Sequence, residues 1–311
     1  MNALVTAIIP AYNYARFLSR AIDSVLAQTY MPIECIVVDD GSTDDTPALL
    51  ASYQDRIRVI RQTNSGPAVA RNTGIAAARG EFVALLDSDD WWAPEKIARQ
   101  IACLEADRTI DAVGCGFAEH GRNMQVVGTN IARSPARDRR ANLRAVATRR
   151  LWVGGSASGL FARTSVIQQL GGFDTTLRAA EDWDLWLRLV ASHDVANLQD
   201  VLTSIHTHGT GSFHNAALME ESQWQVVETA VRRWPDEIRG VTYRKMRALV
   251  LADAANEYIA AGDLVTARRR MAAALLAWPF HRRRLRVMAS LSVKAAIAVI
   301  RNRGTTATNR Q

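Results

Sequence analysis

Short apolar runs alternate with stretches of helical periodicity through the first two hundred residues, and this alternation constrains the chain more than any other feature. Leu4–Pro10, Ile33–Asp39, Ile57–Arg61 and Glu81–Leu86 read as strands. Between them stand Arg16–Gln28, with Leu18, Ala21, Ile22 and Val25 on one face, then Pro67–Arg79 and Pro94–Ala106. The helix at Pro67 has a proline in its first turn and Gly80 after its end, as helix boundaries favour. Strands alternating with helices pair in parallel through right-handed crossovers. Continuous apolar runs suit strands covered on both faces. The expected class is therefore α/β, with a mostly parallel sheet flanked by helices. Ligands of such sheets bind beyond the carboxyl ends of the strands. The polar clusters Tyr12-Asn13, Asp39-Asp40-Gly41-Ser42 and Asp87-Ser88-Asp89-Asp90 stand at those ends.

Further along, residues 111–130 read as more strands, and Arg133–Arg150 as a basic loop or a mobile helix. In Glu181–Ala191, the spacing of Trp183, Trp186, Leu187 and Val190 predicts a helix with a core-facing stripe. Val195–His206 closes the alternating part. From residue 216 onward only helices are expected. Ala254, Tyr258, Gly262, Ala267, Ala274 and Pro279 are placed as in one tetratricopeptide-like hairpin. The expected domains are thus 1–215 and a helical C-terminal appendage, 216–311.

Charge divides the same way. The net charge is +7, but no acidic residue follows Asp263, and eleven basic ones do. Residues 1–263 carry 27 basic against 31 acidic side chains. Such a tail suits an anionic membrane surface or is a solvated basic face. Nucleic acid is not expected, because no recognition motif accompanies the arginines. Three scattered cysteines, Cys35, Cys103 and Cys115, fit neither a disulfide framework nor a zinc site. A reducing cytoplasm is the expected compartment, with the inner face of the membrane as a peripheral location. The N-terminus lacks the pattern of a signal peptide. No window of about 18 uninterrupted apolar residues predicts a spanning helix; Leu285–Ile300 is short and carries Arg286 and Lys294.

The acidic clusters carry the candidate chemistry. In an extended segment, Asp87 and Asp89 point the same way and can share a hard cation, Mg²⁺ or Mn²⁺; a polar turn with Asp90 as a cap is the plainer reading. Asp39 and Asp40 can accept from a base or ribose; turn chemistry and helix capping by Ser42 or Asp44 compete with that. The Tyr12 ring, after Pro10 and before Asn13, can stack on a pyrimidine. Gly66 opens a helix whose free N–H groups suit a phosphate. Arg71 can meet a diphosphate or pair with an acid. Asp182 is either a helix cap or a general base. His206 and His208 can share a side facing a metal or a phosphate.

Together these pieces resemble the family 2 glycosyltransferases. The matching segments are Ile9–Asn13, Val37–Asp44, Gly66–Gly74, Leu86–Asp90, Gly171–Asp174 and Glu181–Arg188, in family order and spacing, over about residues 4–215. The resemblance implies the GT-A fold and an inverting, single-transfer enzyme. It implies a nucleotide-sugar donor (a UDP-sugar), a glycan or lipid-linked acceptor, and a role in cell-surface polysaccharide synthesis. It further implies that Pro10, Tyr12, Asn13, Asp39, Asp40, Gly66, Arg71, Asp87, Ser88 and His208 serve the donor. Asp87 and Asp89 would hold the divalent cation; Asp182 would be the catalytic base, with Glu181 beside it. Two departures stand out. Ile205-His206-Thr207-His208 replaces a common Tyr-Arg-x-His, and Arg233-Trp234 lacks the glutamine of processive synthases. The competing functions are a non-catalytic nucleotide-sugar-binding protein and a sugar nucleotidyltransferase.

Overall fold

A computed structural model describes residues 2–131, 133–151, 153, 156–208 and 215–280. The chain divides into two compact units, Met1–Gly209 and Thr210–Gln311.

The first unit begins as the alternation predicts. β1 (Val5–Ala11), α1 (Ala15–Leu26), β2 (Ile33–Asp39), α2 (Thr46–Ser52), β3 (Arg58–Arg61), α3 (Pro67–Ala77) and β4 (Phe82–Leu85) follow one another. Strands β3-β2-β1-β4 lie side by side, all in parallel, with Ala11 opposite Asp39 at the carboxyl ends. Every residue of β1 is buried, which explains its unbroken apolar run. On one face Ile9 and Val37 pack with Leu18 and Ile22 of α1; on the other, Ile36 and Val38 meet Ala70 of α3.

Beyond β4 the sheet becomes mixed. β5 (Trp91–Trp92), α4 (Lys96–Ala106), β6 (Ala112–His120), β7 (Val126–Asn130), α5 (Arg139–Ala147), β8 (Phe161–Arg163), α6 (Thr164–Gln169), α7 (Glu181–Ser192) and β9 (Val195–His206) complete the unit. The strand order continues β4-β8-β6-β9-β5, with β7 on β6. β8 runs antiparallel to both β4 and β6, while β6 and β9 are parallel. The sheet, expected to be mostly parallel, is parallel in its first four strands and in the β6–β9 pair, and antiparallel at β8, β7 and β5.

The basic stretch before residue 150 forms the helix α5, started by Asp138, whose side chain accepts from Arg140 N. It packs on α7: Trp183 Nε1 donates to Val146 O at 3.1 Å. Trp183 and Trp186 are both buried, as their stripe predicts. Cys35 is a buried apolar packer whose thiol pKa is pushed up to about 12 by burial.

The second unit contains α8 (Ala216–Arg233), α9 (Gly240–Ala260) and α10 (Leu264–Ala277). The α9–α10 hairpin stands where the tetratricopeptide-like spacing puts it. Gly262 takes φ +83° in the turn, a left-handed conformation that favours glycine. Asp263 then caps α10 through Thr266 N at 2.9 Å. Ala252, Ala255, Ala267 and Ala274 let the two helices approach closely around Leu251 and Met271. No helix among the described residues is long and apolar enough to cross a membrane.

Candidate functional site

Two clusters form at the carboxyl ends of the strands. The first joins the ends of β1 and β2. Gly41 has φ +79°, and a Cβ there would lie 2.9 Å from Asn64 N; the turn after Asp40 accepts only glycine comfortably. Asp39 Oδ1 accepts from Ser42 N at 2.9 Å. Asp40 Oδ1 accepts from Gln62 Nε2 at 2.7 Å and Ser65 N at 3.0 Å, and its Oδ2 from Gly66 N at 2.8 Å. Both carboxylates are buried. The acids expected to face the base therefore also hold the turn and the loop leading into α3. Asn13, at φ +55°, accepts from Thr43 N at 2.7 Å and Asp44 N at 3.3 Å, tying β1 to the same turn. Asp44 Oδ1 accepts from Thr46 N, the capping role read for it; Asp45 stands at the cap position but makes no cap bond. Pro10 is an interior residue of β1 opposite Val38. Tyr12 is 44% exposed and open to a flat ring.

The second cluster is organised by Arg71, in the first turns of α3. Its Nη1 donates to Glu181 Oε1 and its Nη2 to Asp87 Oδ1, both at 2.6 Å. The pairing that its sequence context left open is thus made twice, between the loop after β4 and the start of α7. Burial works to lower the Arg71 pKa, but Asp87 and Glu181 outweigh it and raise it. Next to Arg71, Asn72 exchanges two hydrogen bonds with the backbone of Phe173, both 2.8 Å. A Cβ on Gly172 would lie 2.3 Å from Asn72 Oδ1. The Gly-Gly-Phe-Asp segment is therefore a clamp between α3 and the loop entering α7.

Asp182 stands in the first turn of α7, where Glu181 and Asp184 also favour the helix dipole. It is not the cap: that position is Ala180, in the left-handed conformation and without a side-chain bond. Half-buried, Asp182 has its pKa raised to about 7, first by burial and then by Glu181, while Arg71 opposes the rise. The charge on Asp87 also reaches it. A carboxyl balanced near neutrality is suited to take a proton.

Asp87-Ser88-Asp89-Asp90 is a turn, closed by Asp90 N donating to Asp87 O at 3.1 Å, the plainer of its two readings and not the extended segment. Asp87 and Asp89 consequently engage different partners. Asp89 Oδ2 meets His208 Nε2 at 2.7 Å, whereas Asp87 meets Arg71. The two acids still feel each other: burial, then Asp87, raises the Asp89 pKa. Ser88 between them is buried. His208 stacks on Phe17, with ring centroids 4.5 Å apart. Tyr14, edge-on to His208 at 5.5 Å, has its pKa pushed up to about 12 by burial and Asp89. His206 shares that side, its ring 5.2 Å from that of His208 and edge-on to Phe17 at 5.1 Å, with its pKa lowered chiefly by burial. Among the described residues no group of three His, Cys, Asp or Glu side chains forms a ready-made metal site.

Asp90 has a role that its place in an Asp-rich turn concealed. Its Oδ2 accepts from Ser158 Oγ at 2.6 Å and its Oδ1 from His206 N at 3.0 Å. Ser158 Oγ in turn accepts from Asp87 N at 3.0 Å. One buried carboxyl, its pKa raised first by burial and then by Asp89 and Asp87, thus joins three segments around the acids. Ser158→Ala leaves the Asp87 amide and Asp90 Oδ2 without this partner. It is expected to cost about 1–3 kcal/mol in urea unfolding; an unchanged midpoint would overturn that assignment.

Residues 6–152 match the family described as Glycosyl transferase family 2. A glycosyltransferase of Nostoc sp. is 34% identical over 233 residues, covering 70% of this chain and 69% of that protein. The succinoglycan biosynthesis protein ExoO of Rhizobium meliloti is 32% identical over 286 residues, covering 85% and 80% respectively. Among solved structures, S. aureus TarS 1–349 superposes with a TM-score of 0.59 at 20% identity, covering 88% of this chain and 81% of that one. A mannosyltransferase from Pyrobaculum calidifontis, in complex with GDP-Man and Mn²⁺, also gives 0.59, at 23% identity and covering 96% and 81%. These likenesses show the GT-A fold. With its clustered acids and its curated relatives, the chain belongs to the family 2 glycosyltransferases.

Proposed function

We propose that this glycosyltransferase moves a sugar from a nucleotide-diphosphate donor, a UDP-sugar, to an acceptor hydroxyl with inversion, in the synthesis of a cell-surface glycan. One observation carries the reading. Arg71 joins Asp87, at the donor-side turn, to Glu181, the neighbour of the candidate base Asp182. Donor and acceptor chemistry can then meet within one cleft. The acceptor O–H gives its proton to Asp182 as its oxygen bonds the anomeric carbon; the bond from that carbon to the diphosphate breaks, and its electron pair leaves with the nucleotide. Tyr12 offers its exposed ring to the base. Asp39, Asp40, Asn13 and Gly66 shape the turn beside it. His208, held on Asp89, lies toward the diphosphate. Solved relatives of this fold in complex with UDP-GlcNAc, GDP-Man or Mn²⁺, and a relative named for succinoglycan biosynthesis, support the proposal.

A divalent cation fits the residues present. Magnesium-type sites use one or two carboxylates and leave the remaining positions to substrate phosphates and water. Asp87 and Asp89 supply such oxygens; burial first, and then the charge of Asp87, raises the Asp89 pKa, and a cation would offset both. When bound, Mn²⁺ or Mg²⁺ neutralises charge on the departing diphosphate. Asp89→Ala is expected to weaken Mn²⁺-dependent UDP binding by at least about tenfold, roughly 1.4 kcal/mol. Equal affinities in calorimetry would remove Asp89 from the ligand set.

Screening UDP-sugars for nucleotide release in the presence of Mn²⁺ tests the function. Release from one donor supports transfer. Binding without release would instead make the protein a nucleotide-sugar binder, and consumption of a nucleoside triphosphate would make it a nucleotidyltransferase.

A further inference from the structure

The second unit carries a surface that donor transfer does not use. α10 buries Ala267, Met271 and Ala274 against α9. Its outward side presents Val265, Arg268, Arg269 and Leu276 at helical spacing. Leu276 is 82% exposed and Val265 66%. Just past the helix, Phe280 is 81% exposed, with its ring 5.6 Å from that of Trp278. Lys245 Nζ lies 4.8 Å from the Trp278 ring, and Arg244, exposed on the same α9, donates to Ala277 O at 3.2 Å. Large apolar side chains, an indole and cations therefore share one edge of the hairpin. No acidic residue occurs from Leu264 to the C-terminus.

This combination has a specific physical match. Exposed apolar residues flanked by Lys and Arg, with Trp at the boundary, are the composition of an interfacial segment. An anionic headgroup layer complements the charge, and the acyl boundary takes the apolar side chains. We propose that the α10 edge, through Leu276, Trp278 and Phe280 with Arg244, Lys245, Arg268 and Arg269 around them, docks on an anionic lipid bilayer. The basic tail beyond it adds attraction but does not replace the apolar contact, because charge alone holds a protein above the headgroups. The inference is independent of the donor assignment.

Co-sedimentation of the full chain with phosphatidylglycerol-containing vesicles, and with pure phosphatidylcholine vesicles, tests it. Binding to the anionic vesicles only is expected. Leu276→Ser with Phe280→Ser should lower that affinity by about tenfold or more, given the apolar surface withdrawn from the membrane, while circular dichroism shows an unchanged helix content. A second variant, Arg282→Gln, Arg283→Gln, Arg284→Gln and Arg286→Gln, isolates the tail. If it alone abolishes binding while the Leu276/Phe280 variant binds like wild type, the tail is the anchor and the proposal is overturned. It is equally overturned if wild type ignores anionic vesicles, or if sedimentation velocity shows a dimer that the Leu276/Phe280 variant dissolves.

Discussion

Asp182→Asn is expected to lower kcat by about 10²–10⁴-fold, the range for loss of a positioned general base, while leaving UDP-sugar affinity unchanged. Asn keeps the size of the side chain and can still accept the hydrogen bond from Trp183 N that Asp182 Oδ1 accepts at 2.7 Å. It cannot take a proton. The wild-type rate carries a matching signature. With its pKa raised to about 7 by burial and Glu181, Asp182 must lose its proton before it can act. The kcat/KM of the wild type should therefore climb tenfold per pH unit below about 7 and level off above it. A flat profile from pH 5 to 8, or an Asp182→Asn enzyme of near-normal kcat, would remove Asp182 from the base role.

Stability supplies a check that does not involve turnover. In the folded chain Asp182 holds its proton up to about pH 7, whereas an unfolded aspartate releases it near 3.9. The folded state binds more protons between those values, so this group's contribution to stability falls as pH rises through that window. Asn has no proton to lose. Asp182→Asn should thus melt higher than wild type at pH 8, and the difference should vanish below pH 4. A carboxylate whose charge stabilised the fold would show the opposite sign.

Arg71→Ala should produce the largest loss of stability. The guanidinium is 7% exposed and satisfies Glu181 and Asp87 at once. Removing it leaves two carboxylates without their shared cation, and breaking a buried pair in this way costs about 3–5 kcal/mol. In a unit of about two hundred residues that corresponds to a fall in Tm of roughly 6–20 °C. Arg71→Lys should recover little, because one ammonium cannot reach both acids in the planar, two-armed geometry of a guanidinium. Losing Arg71 also withdraws the positive charge that opposes the rise in the Asp182 pKa. The pH profile of any residual activity should therefore move to higher pH. Calorimetric Tm values within a degree or two of wild type would show that the bridge is not structural.

Much of this was legible in the linear chain. β2 runs Ile33–Asp39, the span its Ile- and Val-rich run predicts, because a strand buried on both faces leaves an uninterrupted apolar record. α1 buries Leu18, Ala21, Ile22 and Val25, the face its periodicity marks. By contrast, β5 has two residues and β8 three, too few for any period to register. α2 went unread because Asp44 and Asp45 fit turn chemistry as well as a helix start. Asp90 reads as a cap for a similar reason: an acid closing an Asp-rich turn fits local capping until Ser158 Oγ and His206 N, both distant in the chain, are seen to donate to it.

Local periodicity determined which acids would gather at the strand ends, since an apolar run dictates a strand and a strand dictates where its last polar residues emerge. Only the tertiary structure decided how those acids are shared out. Arg71 meets Glu181 from 110 residues away, and His208 meets Asp89 across 119. The strength and choice of such charge pairs depend on burial and on distances of a few ångströms through the folded sheet. Spacing along the chain carries neither quantity.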